Sequence, residues 1–217
     1  MMKRFADRRA AGRELAQKLL KYAGRSDVTL LALPRGGVSV AYEVAVALKL
    51  PLDVLIVRKL GLPGREELAI GAIASGGIRV LNEDIIHALR LKRTFIDAVT
   101  ERERKELNRR EEQYRGDRPG PRIQNQTVIL IDDGLATGAT MLAAVRTLRT
   151  QHPAHIVVAA PAAAPQAIEI LRPEVDEMVS IISPDPFEGV GRWYEDFSQS
   201  TDEEVQRLLK EANDYLQ

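Results

Sequence analysis

Two adjacent carboxylates, Asp132 and Asp133, close an apolar run in the stretch TVILIDDGLATGATM, residues 127–141. Neighbouring acids repel each other, so placing both at one strand end calls for a polar or cationic partner. Carboxylates in that position hold hydroxyls or the water shell of a metal. Gly134 interrupts the strand, so the two side chains need not alternate between faces. Thr137, Gly138, Ala139 and Thr140 then open a helix. Its first amides have no internal acceptors, and the helix dipole draws an anion to them. Glycine lets a ligand approach the backbone, and the threonine hydroxyls add donors. Acids beside such an anion cup fit a sugar phosphate, with carboxylates on ribose hydroxyls and amides on the 5′-phosphate. The plainer reading is a strand, a turn and a helix capped by Thr137. No Gly-Lys-Ser/Thr follows, which excludes a Walker loop.

Two further stretches carry cations at comparable places. In LALPRGGVSVAYEVAVAL, residues 31–48, Arg35, Gly36 and Gly37 join a strand to a helix start, where amides and a guanidinium meet an anion. A tight turn with a surface arginine is the alternative. In VRKLGLPGREELA, residues 57–69, Arg58 and Lys59 follow a second strand. Gly61, Pro63 and Gly64 predict a mobile loop after them. Glu66 and Glu67 lie in that loop as an acid/base pair, or as ordinary acids at a helix start.

The elements that position these residues alternate. Apolar, β-branched runs at 28–33, 53–57, 127–131, 155–160 and 177–182 read as buried strands. Helical patterns at 38–48, 138–150 and 165–171 separate them. The alternation predicts an α/β fold of three layers, a parallel sheet of about five strands with helices on both faces. Its ligands belong at the carboxyl ends of the strands. Gly76-Gly77 joins two short apolar runs as a hairpin. Residues 92–115 read as a long charged helix, solvated or dimer-facing, because acids and bases interleave along it. Residues 114–122 read as a linker.

Composition limits the function classes. Lys plus Arg and Asp plus Glu both number 31, so the net charge is zero, which argues against a wholesale electrostatic nucleic-acid binder and leaves a local basic site open. The absence of cysteine excludes disulfides, thiolate metal sites and thiol catalysis. The longest mostly apolar run, 156–168, is broken by Pro161 and Pro165, which argues against a membrane span. The first 24 residues are basic but flow into a stripe of Leu15, Leu19 and Leu20, the mark of an amphipathic helix rather than a targeting segment. A chain of 217 residues fits one domain, 1–217, with hood or lid elements from about 60–122 and 184–217.

The stretch VILIDDGLATGAT resembles the signature loop of type I phosphoribosyltransferases, which bind phosphoribosyl pyrophosphate (PRPP). The paired acids and the Ala-Thr-Gly run are most similar to adenine phosphoribosyltransferases, and the whole chain is similar to uncharacterised bacterial members. The matches follow the family's order over residues 28–82 and 124–165. The resemblance implies a cytoplasmic pentosyltransferase of nucleotide salvage that uses Mg²⁺ with PRPP, takes a nucleobase-like acceptor and forms a homodimer. It implies that Asp132 and Asp133 hold the ribose with Mg²⁺ nearby, that 136–140 take the 5′-phosphate, and that Arg35-Gly36-Gly37 form a pyrophosphate loop, often with a strained peptide bond. Arg58 and Lys59 would approach the pyrophosphate beneath a lid at 60–68. The aspartate that several 6-oxopurine enzymes place before the threonine is Ala136 here, so that candidate base is missing.

The acceptor stays open. Phe187, Trp193, Tyr194 and Phe197 cluster near the end of the chain. Phe187 and Trp193 resemble, loosely, the aromatic segment that stacks on the base; a hydrophobic clamp is the alternative. Residues 159–165 lack the lysine that 6-oxopurine enzymes use. His87, His152 and His155 read as solvated. A PRPP- or nucleotide-binding regulator without turnover is the rival function. A sugar-phosphate hydrolase is disfavoured, because no further aspartates gather at strand ends.

Overall fold

Strands β1 (Val28–Ala32) and β2 (Leu52–Val54) pair in parallel, and β1 also pairs in parallel with β6 (Thr127–Ile131). Two more parallel strands, β7 (His155–Ala162) and β8 (Glu177–Ile182), complete a five-stranded sheet of order β2-β1-β6-β7-β8. The structure is a computed structural model that describes residues 3–62, 65–116 and 118–215, without the side chains of 65–68. Every residue of β1 and β6 is buried. That explains their unbroken apolar run: both faces are covered, so alternation has no use.

The two faces sort the side chains cleanly. Leu30, Ala32, Ile129 and Ile131 face a core made with α1 (Arg8–Lys18), α2 (Gly36–Leu48) and α7 (Asp202–Asp214). Leu31, Leu33, Val128 and Leu130 face α5 (Ala139–Arg149) and α6 (Pro165–Leu171). The three-layer α/β fold expected from the alternation of elements is therefore borne out. The α1 helix buries Leu15 and leads to a buried Leu19, whereas Leu20 is exposed.

A second, antiparallel sheet of order β3-β4-β5 sits beside α5. It consists of β3 (Val57–Leu62), β4 (Arg65–Ala74) and β5 (Ile78–Leu81). The chain leaves the main sheet after Val54, where Ser75 Oγ accepts from the Ile56 amide, so Val57 begins β3 instead of ending β2. The turn at Gly76 and Gly77 joins β4 to β5 as read from sequence; both glycines have positive φ. The expected loop at 60–68 is instead largely strand. Lys59 faces Ala72 and Gly61 faces Ala69 across the ladder, with register shifts around Gly61. Pro63 and Gly64 lie outside the described residues, as do the side chains of Glu66 and Glu67.

A short helix α3 (Glu83–Ala88) precedes α4 (Arg93–Arg115). The α4 helix is less solvated than its charge pattern implied. Ile96, Val99, Thr100, Glu103 and Leu107 form a buried stripe, spaced by three and four residues, that covers the small sheet and the β2 edge.

Candidate active site

Leu30 to Ala32 run level with Ile129 to Ile131, so the loops after β1 and β6 leave the sheet side by side. The Leu33 amide donates to the Ile131 carbonyl at 2.9 Å, extending the pairing to the point where the loops begin. The Pro34–Arg35 peptide is cis. Gly36 and Gly37 then pass against the acids. A β-carbon on Gly36 would stand 2.7 Å from Asp133 Cγ, and one on Gly37 would stand 2.8 Å from the Ile131 carbonyl oxygen. These glycines serve close approach, which no other residue permits here.

The acids themselves are half-buried. Asp132 Oδ1 accepts from the Asp133 amide at 2.8 Å. Burial and then the Asp133 charge push the Asp132 carboxyl well above the usual carboxylate range. Burial also raises Asp133, against the opposing pull of Arg8. That arginine donates from Nε to Asp133 Oδ2 at 2.7 Å. Tyr194 Oη donates to the Asp133 carbonyl at 2.5 Å, and burial pushes its phenol up.

Beyond the acids, Leu135 pins the loop. Its amide donates to Ala162 and its carbonyl accepts from Ala164, at 2.9 and 2.8 Å. The pin holds Gly138 against Ala167 with φ 73, while Ala136, Thr137, Ala139 and Thr140 stay exposed. Thr137 Oγ1 accepts from the Ala139 amide at 3.3 Å. The amides of Gly138, Thr140 and Met141 find no backbone acceptor among the described residues. They form an open donor cup at the start of an eleven-residue helix.

The three cations expected on the pyrophosphate flank, Arg58, Lys59 and Arg35, have separate surroundings. Arg58 is turned to α4, where Nη2 and Nε donate to Glu103 Oε2 at 2.6 and 3.0 Å. Lys59 points the other way, as alternation along a strand requires. It lines a cavity of about 190 Å³ between the small sheet and α5, with Gly71, Asn82, Ala139, Leu142 and Arg146. Arg35 is half-buried, and its charge favours the ionised forms of Tyr114 on α4 and Asp202 on α7. Burial, then the hydrogen bond to Asp202, still pushes the Tyr114 phenol up to about 12.

Trp193 is built into packing with Phe5, Ala11 and Tyr194, as a clamp would be. Its indole Nε1 is buried with no acceptor among the described residues. Phe187 is half-buried, 6.0 Å from Trp193 between ring centres. His87 and His152 are exposed, while His155 is half-buried at 4.0 Å from Asp176.

Sequence reasoning missed Arg8. It sits in a basic amphipathic segment, and nothing in its spacing links it to a residue 125 positions away. The nearest available signal was Asp7, an N-cap that accepts from the Ala10 amide and so starts the helix at Arg8.

Among the described residues, no three or more His, Cys, Asp or Glu side chains gather as a metal cage. Two carboxylates beside an open donor cup would suit an ion carried largely by a ligand's own oxygens, the habit of Mg²⁺.

A parallel sheet whose adjacent strand ends carry a glycine loop, an acid pair and an open donor cup defines an α/β protein with its candidate site at the carboxyl ends of the strands. The phosphoribosyl transferase domain model matches residues 3–195, and the chain belongs to that family. Two curated Mycobacterium tuberculosis proteins, from strains CDC 1551 and H37Rv, are each 42% identical over 98% of this chain; their names class them provisionally as phosphoribosyl transferases. The chain spans about half the length of these relatives, 48% of each. A Thermus thermophilus protein of known crystal structure is also 42% identical, with a TM-score of 0.87 over 96% of this chain and 98% of that one. No helix among the described residues is long and apolar enough to cross a membrane.

Proposed function

We propose that the chain binds PRPP and transfers its 5-phosphoribosyl group to a nucleobase-like acceptor, releasing pyrophosphate. The carrying observation is the contact of Gly36 and Gly37 with Asp132 and Asp133, next to the open amides of Gly138 and Thr140. In this reading the cup, residues 136–140, takes the 5′-phosphate. Asp132 and Asp133 accept from the ribose hydroxyls and favour positive charge developing at the sugar. Arg35, Gly36 and Gly37 receive the pyrophosphate. Lys59, which shares a cavity wall with Ala139, adds positive charge on the phosphate flank. Arg58 joins only by exchanging Glu103 for the substrate. Phe187, backed by Trp193, offers the acceptor an aromatic face.

The C1–O bond to pyrophosphate breaks with its electron pair leaving on oxygen, through an oxocarbenium-like state. A ring nitrogen of the acceptor forms the new C1–N bond and releases its proton to solvent. Bound Mg²⁺ would neutralise charge on the leaving pyrophosphate. The small sheet and residues 184–217 act as hood elements that limit water at the sugar. The reading includes a homodimer in the cytoplasm, within one domain.

The test is incubation with PRPP and Mg²⁺ against a panel of nucleobases, with pyrophosphate measured. Release that depends on one base supports transfer and names the acceptor. PRPP binding without release under any base would replace this reading with that of a ligand-responsive regulator.

A further inference from the structure

The cation that meets the acid pair comes from the start of the chain, and it is fixed on several sides. Phe5 pairs in parallel with Tyr194: its amide donates to Trp193, and the Glu195 amide donates back to Phe5, both at 2.8 Å. The Asp196 amide donates to Ala6 at 2.9 Å. These bonds tie the entry to α1 onto residues 193–196. Arg8 then reaches Asp133 with Nε and the Ser198 carbonyl with Nη1, each at 2.7 Å. Its guanidinium carbon lies 3.9 Å from the Phe197 ring centre, a stacking distance. Gly36 completes the enclosure, because a β-carbon there would stand 3.1 Å from Arg8 Nε. Only 12% of the Arg8 side chain and 14% of Asp133 remain exposed, so the pair is shielded from water and resists screening.

We propose that Arg8 is a positioning residue of the sugar site: by occupying Asp133 Oδ2 it fixes the carboxylate so that the other oxygen faces the ligand, and it thereby sets the preference for ribose over 2-deoxyribose phosphates. The proposal rests on the reading that the acids hold sugar hydroxyls. An oriented acceptor distinguishes a hydroxyl from a hydrogen, whereas a carboxylate free to rotate spends part of that discrimination on its own ordering. The phosphate cup lies on a separate loop segment, held by Leu135 rather than by Arg8. Loss of Arg8 therefore separates sugar recognition from phosphate recognition.

The experiment is calorimetric titration of the full chain with ribose 5-phosphate, 2-deoxyribose 5-phosphate and inorganic phosphate. The wild type is expected to favour ribose 5-phosphate over the deoxy sugar by about tenfold, the worth of one hydrogen bond to a charged group. Arg8→Gln should reduce that ratio to below about threefold and leave the inorganic phosphate affinity unchanged; Arg8→Lys should recover part of the ratio. An unchanged ratio in Arg8→Gln overturns the proposal, and so does a parallel loss of inorganic phosphate binding, which marks general damage. Should Arg8→Gln fail to fold, Arg8→Lys is read instead, because it keeps the charge but cannot hold Asp133 Oδ2 and the Ser198 carbonyl together in the guanidinium's fixed geometry. A lowered ratio there supports the positioning role, and an unchanged one overturns it. If the wild type itself shows no preference for the ribose form, the underlying assignment of the acids to sugar hydroxyls fails instead.

Discussion

Gly36 lies against the carboxylate of Asp133, leaving a β-carbon only 2.7 Å from Cγ. Two strand-end loops that the chain separates by almost a hundred residues thus meet with no room for a side chain. Gly36 sits at the start of α2 without a positive φ, so crowding alone is the cost of substitution there. Gly36→Ala is expected to displace Asp133 from Arg8 and destabilise the protein by about 1–3 kcal/mol. Ribose 5-phosphate affinity should fall by about tenfold or more, since the acceptor loses its orientation. Urea unfolding and calorimetry check both; wild-type values in each would mean that the loop relaxes without moving the acid.

Gly138 answers to a different constraint. Its φ of 73 strains any other residue, and a β-carbon would sit 3.2 Å from that of Ala167. Gly138→Ala should cost about 1–2 kcal/mol in unfolding free energy. It should also weaken inorganic phosphate binding by distorting the donor cup, while the ribose-to-deoxyribose preference persists. Equal affinity for phosphate would detach the cup from ligand binding.

Arg58 and Lys59 are chain neighbours with opposite surroundings. Removing Arg58 leaves Glu103, which is buried, with the poorly shielded Arg102 as its remaining ion-pair partner among the described residues. Because Arg58 itself is about a third exposed, Arg58→Met is expected to cost only about 1–2 kcal/mol. Lys59→Met should stay within about 0.5 kcal/mol. For PRPP affinity the order should reverse, with Lys59→Met losing about tenfold and Arg58→Met less than about threefold. A large binding loss in Arg58→Met would show that Glu103 releases its partner when substrate arrives.

The acid pair carries a pH signature. Burial first and the Asp133 charge second raise the Asp132 carboxyl above its ordinary value of 3.8. Between the ordinary value and the raised one, the folded protein keeps a proton that the unfolded chain has released. The stability from this group is fully present below the unfolded pKa and is lost as pH rises through the folded one. Asp132→Asn removes that loss. Without ligand, the variant should gain stability relative to wild type as pH rises above about 4 in urea titrations. A pH-independent difference would mean that Asp132 is ionised in the free protein. With PRPP and Mg²⁺, the double change Asp132→Asn, Asp133→Asn should lower turnover by about 10²-fold or more, with the fold retained.

Much of this arrangement was legible in short stretches. TVILI is buried along its whole length and ends at the acids because a strand covered on both faces shows no alternation. The cup followed from Thr137 and Gly138 at a helix start, a local backbone property. The small sheet was half legible: Gly76-Gly77 marked one turn, but the glycines and proline at 61–64 pointed to a loop where ladder pairing carries β3 to Leu62 and β4 from Arg65. The α4 stripe was hidden by its charges, since Glu103 is buried beside an arginine from another element.

The sequence alone determined the alternation of main-sheet strands with their covering helices, the acid pair at a strand end and the helix start beside it. Each depends on residues a few positions apart, whose periodicity and backbone preferences are fixed by the chain itself. The tertiary structure decided which cation serves the acids. Arg8, Asp133 and Phe197 have no spacing in common; they meet because α1 packs on α2 and the segment after Trp193 pairs with Phe5. It also decided that Arg58 turns to Glu103 while Lys59 faces α5, because only the partner elements of a strand give its two sides different surroundings.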